Sequence, residues 1–172
     1  MTRRTILLCA AAALGVALAT TGCAPQPQYD PNGRCLGWQL AVAAQVHPYS
    51  TTASPSWDLT FTNTSPAACV FGGVPGVRFG GSSSSSPAGD VKGAVSQEWA
   101  IQLAPGDVAY ANIALDPQAP AGCTPTVVRT VRVSAPHVAG GTYTTKAPAR
   151  FTGCAGTAVV ATVGQVTAKR SA

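Results

Sequence analysis

A period of two runs through most of this chain. From Leu36 the even positions are apolar (Leu36, Trp38, Leu40, Val42, Ala44, Val46), with Gln39 and Gln45 on the other face, which predicts a strand with one buried side. The stretch WDLTFTN alternates more cleanly, with Trp57, Leu59 and Phe61 inward and Asp58, Thr60 and Thr62 outward. Between these two, HPYSTTASPS reads as a turn region by composition. VFGGVPGVRF is short, aromatic and punctuated by glycine and proline, as expected of a strand–turn–strand corner. GGSSSSSPAG reads as a low-complexity loop. Trp99, Ile101 and Leu103 alternate again, and APGD turns the chain into VAYANIAL. Three more β-type segments follow: TPTVVRTVRV, GTYTTKAPARF and TAVVATVGQV. About seven to eight short strands with turn signals between them, and no helical pattern after residue 22, predict an all-β fold. The expected architecture is an immunoglobulin-like antiparallel β-sandwich.

The N-terminus follows another rule. Arg3 and Arg4 precede fourteen uncharged apolar or small residues, 6–19 (ILLCAAAALGVALA). That run is short for a membrane span, which needs roughly 20 apolar residues, and matches the charged and apolar regions of an export signal. The small residues Thr20, Thr21 and Gly22 then lead into Cys23, as in the lipobox of bacterial lipoproteins. There the cysteine thiol receives a diacylglyceryl group and becomes the mature N-terminus. Thr20 stands where the lipobox prefers leucine. The two adjacent arginines also fit a twin-arginine signal, so the export route stays open. A lipobox product carries at least two acyl chains, enough for stable attachment where one chain is marginal. The expected organisation is a signal peptide over 1–22, a lipidated Cys23 with a proline-rich linker over 23–34, and a β-sandwich domain over 35–168. The location this implies is extracytoplasmic, anchored to the cell membrane through Cys23.

Cleavage after residue 22 alters both charge and cysteine count. The net charge of +5 falls to +3, from nine basic and six acidic side chains. Those nine basic residues are scattered, with no run longer than two, which argues against a nucleic-acid partner. Cys9 leaves with the signal and Cys23 is the tether, so Cys35, Cys69, Cys123 and Cys154 remain, an even number that implies two disulfides. A hairpin of the first two strands sets Cys35 beside Cys69. Antiparallel pairing of 126–134 with 142–151 does the same for Cys123 and Cys154. Each closure is expected to contribute about 3 kcal/mol or slightly more.

The cysteine opening the first strand, FTNTSPAACVFGGVPGV, the later LAPGDVAYANI and the cysteines before the last two segments together resemble a family. It is a group of actinobacterial secreted lipoproteins carrying the domain of unknown function numbered 4232. The resemblance covers roughly residues 35 to 166. It implies an envelope location and a β-sandwich, and supplies neither an activity nor catalytic residues.

The acids after Cys23 are Asp30, Asp58, Asp90, Glu98, Asp107 and Asp116. Asp107 and Asp116 occupy turn-type sequence, and Asp58 is assigned to an outward strand face. His47 and His137 each adjoin a proline and are expected in exposed loops at strand ends. Ser82 to Ser86 are nucleophiles only by abundance. With four cysteines oxidised, two histidines cannot complete a four-ligand zinc site, and the chain after Cys23 has no methionine for copper. FGGVPGVRFGG lacks a phosphate-loop pattern. Asn63-Thr64-Ser65 is formally a glycosylation sequon but reads better as the turn after a strand. No catalytic residue, metal site or cofactor is expected.

Two functions remain. One is a non-enzymatic binding or structural module in the cell envelope, with an envelope protein or glycan as partner. The alternative is a carrier of a small apolar ligand or lipid in a pocket between the sheets. Trp38, Trp57 and Trp99 separate them: packed into the core they favour the first, lining a pocket the second.

Overall fold

The computed structural model describes residues 29–81, 87–93, 100–118, 121–138 and 140–170. Among these the chain is almost entirely β: a single 3₁₀ turn, Gly37–Gln39, precedes ten strands. They are β1 Leu40–Val46, β2 Ser56–Asn63, β3 Cys69–Gly72, β4 Gly76–Gly80 and β5 Pro87–Gly93. After these come β6 Ala100–Leu103, β7 Val108–Leu115, β8 Pro125–Ser134, β9 Thr142–Cys154 and β10 Gly156–Val163. Eight form one sheet in the order β1-β2-β7-β10-β5-β4-β8-β9, and β3 and β6 make a separate pair. Every pairing is antiparallel except β5 with β10. The large sheet curls until its two ends, β1 and β9, lie against each other, so it is nearly closed.

Inside the curl, apolar strand faces converge. Trp57, Leu59 and Phe61 of β2 are fully buried, as their alternation predicts. Trp57 packs edge-on against Phe79 of β4 and Phe151 of β9, with ring centroids 5.6 and 5.9 Å away. Leu103, Ile113, Val131, Val133 and Val163 complete this core from β6, β7, β8 and β10. Burial of each large apolar side chain contributes about 1.5–3 kcal/mol.

The first strand starts four residues later than expected. Leu36 to Gln39 do not continue β1, because the Gln39 side chain is buried and pulls the backbone into a turn. Its Oε1 accepts from the Leu36 N–H at 2.8 Å and its Nε2 donates to Ser65 Oγ at 3.1 Å. Gln39 therefore points inward and Trp38 outward, the reverse of the predicted phase. Trp38 is 48% exposed and meets Tyr29 edge-on. Val46, also expected inward, is exposed.

The corner VFGGVPGVRF is real but divides between sheets, β3 joining the pair and β4 the large sheet. Gly73, at φ 99°, makes the change of direction, a conformation that a side chain disfavours. The expected serine loop ends sooner than its composition suggests. Residues 82–86 lie outside the described residues, but Pro87, Ala88 and Gly89 already belong to β5. PAGDVKG lacks an apolar alternation, so its strand state comes from pairing with β4 and β10 on either side. Where β5 passes β9, only a glycine fits: a Cβ on Gly153 would run into the Ala88 carbonyl.

Candidate functional site

Both expected disulfides are present. Antiparallel β1 and β2 run in register from Leu40 opposite Asn63 to Val46 opposite Trp57, which returns the chain to its start. There Cys35 joins Cys69 with a Cα separation of 4.9 Å. Likewise Pro125 of β8 stands opposite Cys154 of β9, and Cys123 joins Cys154 at 5.4 Å. The turn after β2 is tied internally. Asn63 is fully buried, and its Nδ2 donates to the carbonyls of Ala67 and Leu103 at 2.8 and 3.0 Å. That amide nitrogen is thus a structural donor, as the turn reading of Asn63-Thr64-Ser65 requires.

The sequence misplaces Asp58 and His47. Asp58 alternates correctly, on the face opposite Trp57 and Leu59, but that face is covered and its carboxylate is fully buried. Beyond Val163 the chain continues along β7: the Gly164 N–H donates to the Asn112 carbonyl, and Tyr110 and Thr167 exchange backbone hydrogen bonds of 2.9 and 2.8 Å. This brings Arg170 across the ring of Tyr110, 5.1 Å from its centroid, to place Nε 3.0 Å from Asp58 Oδ2. His47, just past the end of β1, folds over the same carboxylate with Nδ1 at 2.9 and 3.0 Å from its two oxygens. Asn112 Nδ2 donates to Oδ1 at 3.2 Å from the neighbouring strand. His47 is 6% exposed, not the exposed loop residue its flanking proline suggests. A buried carboxylate is costly unless paired and hydrogen-bonded, and here three donors converge on it.

Chemically, this is an oriented aspartate–histidine pair with its carboxylate fully engaged. Among the described residues, the side-chain partner of His47 is Asp58, and no serine or threonine hydroxyl is hydrogen-bonded to its ring. What the cluster does is fasten residues 164–170 to β7 and β2. The signal for it lay in the last basic residues, which become legible only once the tail is known to lie on β7.

The remaining candidates are dispersed. Asp107 and Asp116 cap turns, accepting from the N–H groups of Ala104 and Gln118 at 2.9 Å each, as predicted. Asp30 does the same for Asn32 and Arg34. His137 is exposed in the β8–β9 turn, as expected, with a φ of 57°. It lines a cleft of about 140 Å³ with Arg34, Phe71 and Pro136. A larger groove, about 650 Å³, lies over β4, β5, β8, β9 and β10 and gathers Arg78, Lys92, Arg132 and Asp90. Among the described residues no group of three histidines, cysteines or acids could hold a metal ion. Cys23, the serines 82–86, Glu98, Trp99 and the run 6–19 lie outside the described residues.

No curated protein and no solved structure matches this chain. A family model does, over residues 35–169, from the cysteine before β1 to the tail that covers Asp58, and the chain belongs to that family, the domain of unknown function DUF4232.

Proposed function

We propose that this chain is an actinobacterial cell-envelope lipoprotein, exported by residues 1–22 and anchored to the membrane by lipid on Cys23. Its domain, read as an immunoglobulin-like sandwich, is a non-enzymatic binding or structural module whose partner is an envelope protein or glycan. The observation that carries this reading is the pair of disulfides, Cys35–Cys69 and Cys123–Cys154. Such bonds form and persist in oxidising compartments outside the cytoplasm. The first of them begins a dozen residues after Cys23, a linker reaching at most about 40 Å when extended. The domain therefore works close to the bilayer.

Surface binding is favoured over an internal carrier by Trp57, which is 2% exposed and wedged between Phe79 and Phe151 as core. The three donors on Asp58 favour a structural over a catalytic use of its buried pair with His47. Detergent phase partitioning tests the anchor: wild type should enter the detergent phase and Cys23→Ser the aqueous phase. Equal partitioning of the two would overturn it. Capture from intact envelope with the mature domain as bait tests the partner class. Recovery of a bound apolar lipid, with no protein or glycan, would favour the carrier.

A further inference from the structure

Cations that the sequence scatters over more than fifty positions meet on one face of the large sheet. In the antiparallel register Arg78 of β4 stands directly across from Arg132 of β8, and Asp90 of β5 is opposite Arg78 on its other side. Side chains paired this way have Cβ atoms about 5 Å apart, and like charges so placed repel. Asp90 offsets this only weakly: its Oδ1 lies 3.8 Å from Arg78 Nε, and the arginine side chain is 79% exposed. Lys92, two residues beyond Asp90, falls on the same side of β5 and lines the same groove. Among the described lining residues the groove thus holds three cations against one carboxylate, with the hydroxyls of Ser134 and Thr142 at its edge.

Two facing guanidiniums present more N–H donors than the two oxygens of a carboxylate can accept. A phosphate monoester suits them better, with about −1.5 to −2 charge and three acceptor oxygens. Lys92 adds a point charge, the hydroxyls add neutral donors, and Val159, 51% exposed, offers the ester's organic part an apolar contact. We propose that this groove is the binding site of a soluble phosphate monoester, clamped between Arg78 and Arg132 with Lys92 as third cation. A bilayer is a poorer occupant. Among the described residues, the exposed aromatic side chains Tyr29, Trp38 and Tyr49 are not part of the groove, whereas a face that docks on lipid carries such groups at headgroup depth. All the clamping residues belong to the folded domain, so the ligand is independent of how the chain is tethered.

Titration calorimetry on the full chain in neutral detergent, with glycerol 3-phosphate as probe at low salt, tests the site. Binding is expected, with Arg78→Gln and Arg132→Gln each weakening it at least tenfold, while Arg150→Gln, outside the groove, matches wild type. Thermal unfolding supplies a second readout. Without ligand, Arg132→Gln should melt no lower than wild type, because a repulsive pair is gone. The probe should raise the melting temperature of wild type and leave that variant unchanged. Absence of binding at millimolar probe would overturn the proposal, as would equal affinity for acetate or undiminished binding by the two glutamine variants. Retention on phosphatidic acid vesicles without binding of the soluble ester would transfer the face to lipid and overturn it equally.

Discussion

Replacing Asp58 by alanine removes the acceptor for His47, Arg170 and Asn112 at once. His47 is 6% exposed and Asp58 itself is fully buried, so water cannot readily take over the lost contacts on that side. The Arg170 side chain is 35% exposed and recovers part of its hydration, which limits its share of the loss. Removing one member of a buried pair typically costs 3–5 kcal/mol, and a buried donor left unpartnered about 1–3 kcal/mol. Discounting for the half-solvated arginine, Asp58→Ala should destabilise the domain by about 3–4 kcal/mol. That is a large part of the roughly 5–15 kcal/mol available to a domain of ordinary stability. Asp58→Asn keeps an acceptor but not the charge and should cost less. Equilibrium denaturant unfolding with the disulfides intact is the assay, with m unchanged between variants. A double-mutant cycle of Asp58→Asn with Arg170→Gln should show a coupling of about 0.5–3 kcal/mol, since the two are in direct contact. The reasoning is wrong if Asp58→Ala unfolds within about 1 kcal/mol of wild type.

Other consequences are open to measurement. Non-reducing peptide mapping should recover Cys35 with Cys69 and Cys123 with Cys154. Removing either bond as an alanine pair should cost about 3–4 kcal/mol, given loops of 34 and 31 residues. Gly153→Ala forces a Cβ into the Ala88 carbonyl and should lower the unfolding free energy by about 1–3 kcal/mol, whereas Gly106→Ala meets nothing and costs only its positive-φ strain. Tyr143, whose hydroxyl donates to the Gly37 carbonyl at 2.9 Å, has its pKa raised above the ordinary 10.0 by burial. Because the folded state disfavours the phenolate, this contribution is present below pH 10 and is lost as pH rises through the raised value. Stability of wild type should fall more steeply in that alkaline range than that of Tyr143→Phe.

Local patterns in the sequence settle what depends on near neighbours. Alternation of apolar and polar residues identifies β2, because a strand's side chains face alternate sides whatever the sheet order. The same hairpins that return the chain on itself make both cysteine pairings readable from order alone. Turn-type residues likewise locate Asp107 and Asp116 correctly, since their hydrogen bonds reach only three and two residues along the chain.

Tertiary structure decides what depends on a distant partner. PAGDVKG becomes β5 only because β4 and β10 supply its hydrogen bonds, and nothing in its own composition demands a strand. Alternation places Asp58 on the face away from the core, but whether that face meets water depends on residues 164–170, which lie more than a hundred positions away and are held there by backbone bonds to β7. Arg78, Lys92 and Arg132 look dispersed along the chain and become one charged groove through strand register. Periodicity reports which way a side chain points. Burial and electrostatic company are set by what the fold packs against that side, and that is a property of long-range pairing.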